Sequence, residues 1–277
     1  MTKYVVDSSC DLFTYENIQM EAVPLTIYTD DICYTDDDRL DVFEMIQDLE
    51  KYKGRSYTAC PGVESWLNAF LGGDKIYVVT LTGTLSGTYN SALVAKDIYL
   101  QENPDTQIEV FDSLSTGPEM RLIAEKIMEL DQSGLPFEQV CNKVRSYMKH
   151  THLFFAFQSL HNFAQNGRIS KVLESMVGIL GISILGTASD EGTISPINKF
   201  RGEKKVINGV VDALSNVGYK GGKVRISHIM NLPLAEKIST AIKNRFQNAI
   251  IDIYPARGIC SYYGERGGII IGCETLD

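Results

Sequence analysis

Hydrophobic and polar positions alternate along the first half of the chain in a way that predicts strands separated by helices. Short runs rich in Val, Ile and Tyr end at Gly, Pro, Ser or Asp, as strands do, whereas apolar residues recur every third position from Leu40 to Leu49, as in a helix. We predict strands over 3–6, 22–28, 75–82, 107–111 and 152–157, and helices over 38–52, 63–71, 86–100, 117–131 and 137–149. Strands that alternate with helices favour a parallel sheet with covering helices.

The pattern changes after residue 158. Two predicted strands, 182–185 and 194–200, flank TASDEGT, which carries the Gly of a hairpin loop. The remaining elements predicted are helices over 202–217 and 232–246 and strands over 223–228, 249–254 and 268–272. The fold class predicted is therefore α/β, with a mostly parallel N-terminal α/β domain over 1–158 and a smaller C-terminal α+β domain over 159–277.

Composition and charge narrow the function classes. A chain of 277 residues with 44% hydrophobic residues has enough apolar material for two folded domains. Its formal net charge of -9 argues against nucleic-acid binding, which needs clustered Lys and Arg. The start, MTKYVVDSS, lacks the apolar region of a secretory signal, and the apolar stretch 176–188 is shorter than the roughly 20 residues of a membrane span. We expect a cytoplasmic protein with no stable membrane insertion.

The cysteines and histidines give no sign of a metal site. The six cysteines form no C-x-x-C pair, and the four histidines show no H-E-x-x-H or similar spacing. We therefore expect no metal, and we interpret the cysteines as buried free thiols.

Hydroxyl and acidic side chains collect where predicted strands end. The binding crevice of an open α/β sheet lies at the carboxyl ends of its strands, and here the strand ends run into DSSCD, SYTAC, TGTLSGT and DSLSTG. Each such residue taken alone is typical of a helix cap, but these loops supply more hydroxyls than capping requires. The surplus predicts one shared site. Its candidate lining residues are Asp7, Ser8, Ser9, Ser113 and Ser115.

Among these loops, the one in the stretch VVTLTGTLSGTYNS carries the most hydroxyl side chains and glycines. Ser86 and Thr88 place hydroxyls beside the free N–H groups that open the predicted helix, and Gly83 and Gly87 permit positive φ and close backbone approach. Such a turn can bind an anion. It lacks the Lys of a P-loop and is not G-x-G-x-x-G, so a carboxylate or a monophosphate fits better than a nucleotide.

A catalytic role for Ser86 is the alternative. In GTLSG the serine lies one place late for a nucleophile elbow, but a pairing with His228, which follows a predicted strand, would make a hydrolase or a phosphotransferase. This alternative stays open at the level of the residues.

Six motifs together resemble one known family. They are DSSCDL, the T-x-x-P of TACPG, LSGTYNSA, DSLSTG, NGRIS at 166–170, and SYYGERGGIIIG near the end. In this order, over nearly the whole chain, they resemble the DegV family, the fatty-acid-binding proteins that serve as lipid-carrying subunits of bacterial fatty acid kinase.

The resemblance implies a two-domain α/β protein that holds one long-chain fatty acid, such as palmitate, stearate or oleate, in a tunnel between its domains, with no other cofactor. The family's carboxylate-binding Thr and Ser correspond to Thr58 and Ser86. The implied carboxylate site is completed by Gly87, Thr88 and Tyr262. Apolar walls would favour the acyl chain by about 0.8 kcal/mol per buried CH₂.

The resemblance also implies a partner. The family protein is not an enzyme itself; it presents the carboxylate to a separate ATP-dependent kinase subunit. Arg168 and Arg201 match family arginines near the mouth of the site or on the kinase-facing surface. An alternative function is a regulator that responds to lipid, which would differ from such a carrier mainly in its partner.

The chain departs from the family pattern at three places. Tyr262 stands at the apparent position of a family His, and a phenol donates a hydrogen bond without carrying the charge of an imidazolium. The family's T-S-x-P reads Thr58-Ala59-Cys60-Pro61, which removes one hydroxyl, and Ser183-Ile184-Leu185 replaces a family Lys-Pro.

Overall fold

The computed structural model describes residues 1–15, 18–169, 173 and 182–275. Ser170 of the NGRIS motif and residues 176–181 of the apolar stretch 176–188 lie outside these residues. The described strands are β1 Thr2–Asp7, β2 Thr14–Tyr15, β3 Ile18–Gln19, β4 Glu21–Val23, β5 Thr26–Tyr28, β6 Cys33–Thr35, β7 Tyr57–Ala59, β8 Lys75–Thr80, β9 Gln107–Asp112, β10 Thr151–Phe157, β11 Ile182–Ala188, β12 Ile194–Arg201, β13 Gly222–His228, β14 Ala249–Pro255 and β15 Ile269–Glu274. The described helices are α1 Val42–Lys51, α2 Val63–Phe70, α3 Thr88–Glu102, α4 Gly117–Gln132, α5 Phe137–Tyr147, α6 His161–Gln165, α7 Glu203–Asn216, α8 Leu232–Arg245 and α9 Gly258–Gly264.

The first sheet is parallel, as predicted. Its strand order is β4-β1-β8-β9, and every neighbouring pair runs in the same direction. The carboxyl ends of β1, β8 and β9 therefore meet at one edge of the sheet, and the loops that follow them lie side by side. This edge forms one wall of the functional site.

The second sheet is mixed and wider, with the order β12-β11-β10-β15-β13-β14. The hairpin predicted around TASDEGT is confirmed, because β11 and β12 pair antiparallel. The placement of 152–157 in the parallel sheet is wrong, because β10 pairs antiparallel with β11 and β15. A buried run of apolar residues has the same pattern in either sheet, so periodicity cannot identify its partners. The domain boundary near residue 158 stays a prediction.

A single predicted strand over 22–28 is in fact two strands in different sheets. Pro24 lacks the N–H needed to continue the ladder, and the Leu25 N–H donates instead to Ser8 Oγ at 3.1 Å. The chain then enters β5, which lies between β6 and β7 in a small antiparallel sheet. The SYTAC segment thus belongs to this small sheet and does not follow a strand of the parallel sheet.

Helix α4 lies between the two large sheets and joins their cores. It packs against β1 and β8 on one side and against β10, β13 and β15 on the other. Met120 and Ile123 are fully buried in the core of the first sheet, while Gly272 of β15 lies so close that a Cβ there would come within 2.6 Å of the α4 backbone. Both sheets are consequently held at a fixed position relative to α4.

Charged side chains also link α4 to the second sheet. The fully buried carboxylate of Glu125 accepts hydrogen bonds from Nη2 of Arg225 at 2.6 Å and from Nε of Arg121 at 2.9 Å. Arg121 also donates to Asp252 at 2.6 Å, and Lys223 pairs with Glu129. Buried charges of this kind are tolerated only when they are paired and hydrogen-bonded.

Candidate functional site

The loop after β8 is held in place by the first of the predicted acids. The buried carboxylate of Asp7 accepts hydrogen bonds from the Leu81 N–H at 2.6 Å, from Thr88 Oγ1 at 3.4 Å, and from the Ser9 hydroxyl at 2.5 Å. Burial raises the pKa of Asp7 to about 6, although these hydrogen bonds act in the opposite direction. Asp7 therefore fixes the loop and the start of α3 from beneath.

The next turn places Ser86 at the start of α3. Ser86 Oγ accepts a hydrogen bond from the Thr88 N–H at 3.3 Å, and within the described part of the chain its own proton has no acceptor. The Gly87 N–H is likewise without an acceptor among the described residues. Gly87 does not use the positive φ that glycine permits, since its φ is -74°. What it provides is space, because a Cβ there would lie 3.1 Å from Cys60 Sγ.

These groups open into an apolar cavity of about 280 Å³ between the two large sheets. Its apolar walls come mainly from β10, β15, α6 and the strand exits: Leu25, Leu81, Leu85, Leu114, Leu153, Phe155, Phe157, Phe163, Ile194, Ile259 and Ile270. Polar groups also line the cavity, and Thr58, Ser86 and Tyr263 are among them. Among the described lining residues Arg168 is the one charged side chain, so the cavity favours an anionic headgroup attached to an apolar body.

The hairpin between β11 and β12 covers the loop that follows β8. Thr82 Oγ1 donates to the Gly192 carbonyl at 3.1 Å, and Thr84 Oγ1 donates to the Glu191 carbonyl at 2.6 Å. Gly192 has a φ of +75°, and a Cβ there would come within 2.2 Å of Thr82 Oγ1. A larger residue at this position would push the hairpin away from the exits.

Thr58 reaches the cavity from the edge strand β7. Its hydroxyl lies 2.7 Å from the hydroxyl of Tyr263 on α9. Just before the same strand, the hydroxyl of Ser56 lies 2.8 Å from that of Tyr262. The structure does not bring Tyr262 to the wall of the apolar cavity: its hydroxyl contacts Ser56 and Asn166 and faces a separate polar cavity of about 450 Å³. Its neighbour Tyr263 lines the apolar cavity instead.

Helix α9, which carries both tyrosines, is positioned by acids from the first half of the chain. Asp36 accepts hydrogen bonds from the N–H groups of Gly258 at 2.8 Å and Ile259 at 2.9 Å. Asp11 accepts one from the Arg257 N–H at 2.8 Å. Burial raises the pKa of Asp11 to about 8 and also raises that of Asp36. These contacts fix the direction in which the two phenols point.

Most of the predicted surplus hydroxyls have partners inside the protein. Ser8 accepts from Leu25, and Ser9 donates to Asp7. Ser113 Oγ donates to the Ser115 carbonyl at 3.1 Å. Ser8, Ser9 and Ser113 therefore have hydrogen-bond partners without an external ligand, and they are not among the described residues that line the cavity. Thr88 and Asp7 bond to each other and do not line the cavity either.

Ser115 is a partial exception. It lines the cavity, but its hydroxyl donates to Glu119 Oε2 at 2.5 Å. Burial raises the pKa of Glu119 to about 7, while the hydrogen bond from Ser115 acts in the opposite direction. The Ser115 proton is thus already engaged.

The two predicted arginines lie in different surroundings. Arg168 lines the cavity and donates to the Asn166 carbonyl at 2.6 Å, and it forms no ion pair with any residue that the structure describes. Arg201 is exposed at the end of β12 and does not appear in the cavity wall over the described ranges.

The nucleophile alternative finds no support in the geometry. His228 lies at the end of β13, where its Nδ1 accepts from the Asn231 N–H at 3.4 Å. Over the residues that the structure describes, no hydrogen bond joins Ser86 to His228, and no histidine lines the cavity. Among the described residues, Ser86 thus has no histidine hydrogen-bonded to it that could act as its base.

Several functional residues were absent from the sequence-based candidates. They are the cavity-lining residues Tyr263, Phe155, Phe157 and Phe163. The three phenylalanine rings stack in succession, and Phe163 packs at a tilt against Tyr263. The Tyr262-Tyr263 doublet was the available signal, but a sequence gives no helix orientation to choose between adjacent residues.

Among the residues that the structure describes, no helix is long and apolar enough to cross a membrane. The same residues contain no group of three or more His, Cys, Asp or Glu side chains that could hold a metal ion.

Comparisons with known proteins give one consistent result. The model of the DegV family, described as a family of uncharacterised proteins, matches residues 1–271. A DegV domain-containing protein of Streptococcus pneumoniae is 40% identical over 276 residues, which is 98% of each chain.

Two solved structures share the fold. One is a DegV family protein from Eubacterium eligens loaded with heptadecanoic acid; it is 48% identical, covers 100% of both chains and superposes with a TM-score of 0.97. The other is the Streptococcus pneumoniae Fatty Acid Kinase B3 protein loaded with linoleic acid, which is 39% identical over 99% of both chains, also with a TM-score of 0.97.

Proposed function

Because the chain belongs to the DegV family, we propose that it binds one long-chain fatty acid in the cavity between its two large sheets. The observation that carries this proposal is the cavity itself. Its walls are mainly apolar. They include the Ser86 hydroxyl and the Gly87 N–H, which have no acceptor among the described residues, and Arg168, which forms no ion pair with any of them. The ligand carboxylate would accept from Ser86 Oγ, the Gly87 N–H and the Thr58–Tyr263 hydroxyl pair. The protein acts as a carrier and not as an enzyme.

Charge favours a carboxylate headgroup. The first turn of α3 offers N–H groups and the positive end of a helix dipole, and Arg168 adds a full positive charge. No acid occurs among the described lining residues, so nothing on this wall repels an anion. One cation suits a monoanion better than the several charges of a nucleotide.

The apolar part of the cavity suits an acyl chain. Each buried CH₂ adds about 0.8 kcal/mol of favourable transfer free energy, so a chain of the length of palmitate, stearate or oleate gains enough to offset its ordering. The two ligand-loaded relatives hold heptadecanoic and linoleic acid, which supports a ligand of this class.

We further propose that the chain presents the carboxylate to a separate ATP-dependent fatty acid kinase subunit in the cytoplasm. Support comes from the similarity to the Fatty Acid Kinase B3 protein and from the exposure of Gly87 and Cys60 beside the headgroup site, which leaves the carboxylate reachable from outside. Arg168 at the mouth and the exposed Arg201 are the cations available to this partner.

The Ser86→Ala variant tests the proposal. A hydrogen bond to a charged group contributes about 1.5–3 kcal/mol, so we expect the Kd for oleate to rise about ten- to a hundredfold. The measurement is fluorescent fatty-acid displacement, together with native mass spectrometry of the purified wild type, which should carry an acyl chain. Ser91→Ala is the matched control, since Ser91 lies on the same helix and donates to the Pro61 carbonyl at 2.8 Å.

Two results would contradict the proposal. One is a delipidated wild type that takes up no fatty acid. The other is wild-type hydrolysis of a model ester or phosphate that Ser86→Ala abolishes, which would instead support the hydrolase alternative.

Cys60 provides an independent test of where the headgroup lies. It is exposed, lines the cavity and has its Sγ next to Gly87. We expect bound oleate to slow alkylation of Cys60 by iodoacetamide several-fold, as read by peptide mass spectrometry. Cys33, the other exposed thiol among the free cysteines, lies on β6 and serves as the internal control. Equal protection of both thiols, or of neither, would place the ligand elsewhere.

A further inference from the structure

Two hydroxyls from distant parts of the chain meet at the wall of the cavity. Thr58 Oγ1 on β7 and Tyr263 Oη on α9 are 2.7 Å apart, although 205 residues separate them in sequence, and both line the cavity. The distance is that of a normal O–H···O hydrogen bond, in which either oxygen can be the donor.

The number of protons in this pair decides what it offers a ligand. Each hydroxyl carries one proton, and their mutual hydrogen bond uses one of the two. A carboxylate only accepts hydrogen bonds, so it is served by the second proton. If Tyr263 donates to Thr58, then the Thr58 proton is released toward the cavity. In that arrangement the phenol sets the direction of the threonine hydroxyl, which would otherwise rotate freely.

Tyr263 is held firmly enough to do this. Its ring packs against Phe163 at a centroid distance of 4.6 Å and against Tyr262 edge-on at 4.9 Å. The Tyr262 hydroxyl is in turn bonded to Ser56 at 2.8 Å and to Asn166 at 2.9 Å. Two parallel hydroxyl contacts therefore join β7 to α9, and only the one made by Tyr263 reaches the apolar cavity among the described residues.

The phenol also stays protonated. Burial raises the pKa of Tyr263, whereas the hydrogen bond with Thr58 and the charge of Arg168 act in the opposite direction. A donor of this kind keeps its proton throughout the neutral range. A histidine in the same place would lose or gain a proton there.

From this geometry we infer that Tyr263 is a positioning residue that orients the Thr58 hydroxyl toward the carboxylate of a bound fatty acid. The inference rests on the proposed function and assigns to Tyr263 a role that sequence comparison gave to its neighbour. Tyr263 acts through Thr58, so removing either hydroxyl should remove the same interaction.

A double-mutant cycle for oleate affinity tests the inference with Thr58→Val, Tyr263→Phe and the double variant. We expect each single change to raise the Kd about tenfold, and the double variant to bind within about twofold of Thr58→Val alone. Tyr262→Phe is the matched control, since it removes the adjacent phenol but keeps the ring against Tyr263, and it should bind as wild type. Losses that multiply in the double variant, or a Tyr263→Phe protein with wild-type affinity, would overturn the inference.

Tyr263→His adds a readout that a purely structural role would not change. Both proteins are measured at pH 6 and pH 8, because the buried carboxyls of Asp7, Asp11 and Glu119 also have raised pKa values in or near this range. Relative to wild type at the same pH, the histidine variant should bind oleate more weakly at pH 8 than at pH 6, because its imidazolium loses its proton near its usual pKa of about 6.5. An equal ratio of the two affinities at both pH values would contradict the inference that residue 263 acts on the Thr58 hydroxyl beside the headgroup. Wild-type protein that binds no fatty acid would overturn the proposed function and this inference together, whereas wild-type uptake with an unaltered Tyr263→Phe overturns the inference alone.

Discussion

Glu125→Leu should lower the free energy of unfolding by about 3–5 kcal/mol, because it leaves Arg225 buried without its carboxylate partner. Glu125 is fully buried on α4 and binds Arg225 from β13 and Arg121 from its own helix. Without it two guanidinium groups face each other, and Asp252 is the remaining carboxylate that contacts one of them. Urea denaturation followed by circular dichroism measures the change as a lower midpoint.

Two further variants separate the buried charge from simple loss of packing. In Glu125→Leu/Arg225→Met both charges are replaced by apolar groups of similar size, and much of the lost stability should return. Arg145→Met breaks an ion pair with Glu109 that is much more exposed, so it should cost under about 1 kcal/mol. A double variant as unstable as Glu125→Leu would show that shape, and not the unpaired charge, dominates at this position.

Ala188→Trp should abolish fatty-acid uptake. Ala188 lies on β11 in the cavity wall, and an indole there would occupy space that an acyl chain needs. We expect no lipid in the purified variant and a Kd for oleate at least about a hundredfold above that of the wild type. Ile197→Trp is the control, because Ile197 is exposed on β12 of the same hairpin. Wild-type uptake by Ala188→Trp would mean that the acyl chain lies elsewhere.

The local pattern predicted most helices and strands because each requires only its own residues. The parallel pairing of β1, β8 and β9 followed from the alternation of strands and helices. The membership of β10 in the second sheet did not, because β10 is buried by elements on both sides and its partners lie far away in sequence. The short strand β7 was missed as well, since three residues carry too little periodicity to be recognised.

The candidate site, like the fold, was predictable only in part. Thr58 and Ser86 carried motif signals and both line the cavity. The sequence could not show which of Tyr262 and Tyr263 lines the apolar cavity, because adjacent helical residues point about 100° apart and a shift of one position turns the side chain toward another cavity. The hydroxyls of Ser8 and Ser9 were overinterpreted because their internal acceptors, which include a carboxylate, become visible only in the folded chain.

The pairing of β7 with α9 also has a consequence for biosynthesis. The two hydroxyl contacts between these regions span 205 and 206 residues. Residues 56 and 58 therefore cannot form them until most of the chain has been translated and their partners have left the ribosome. Closing so long a loop is entropically costly and slows folding. The lipid site is accordingly completed late, and a nascent chain that ends before Tyr263 cannot assemble it.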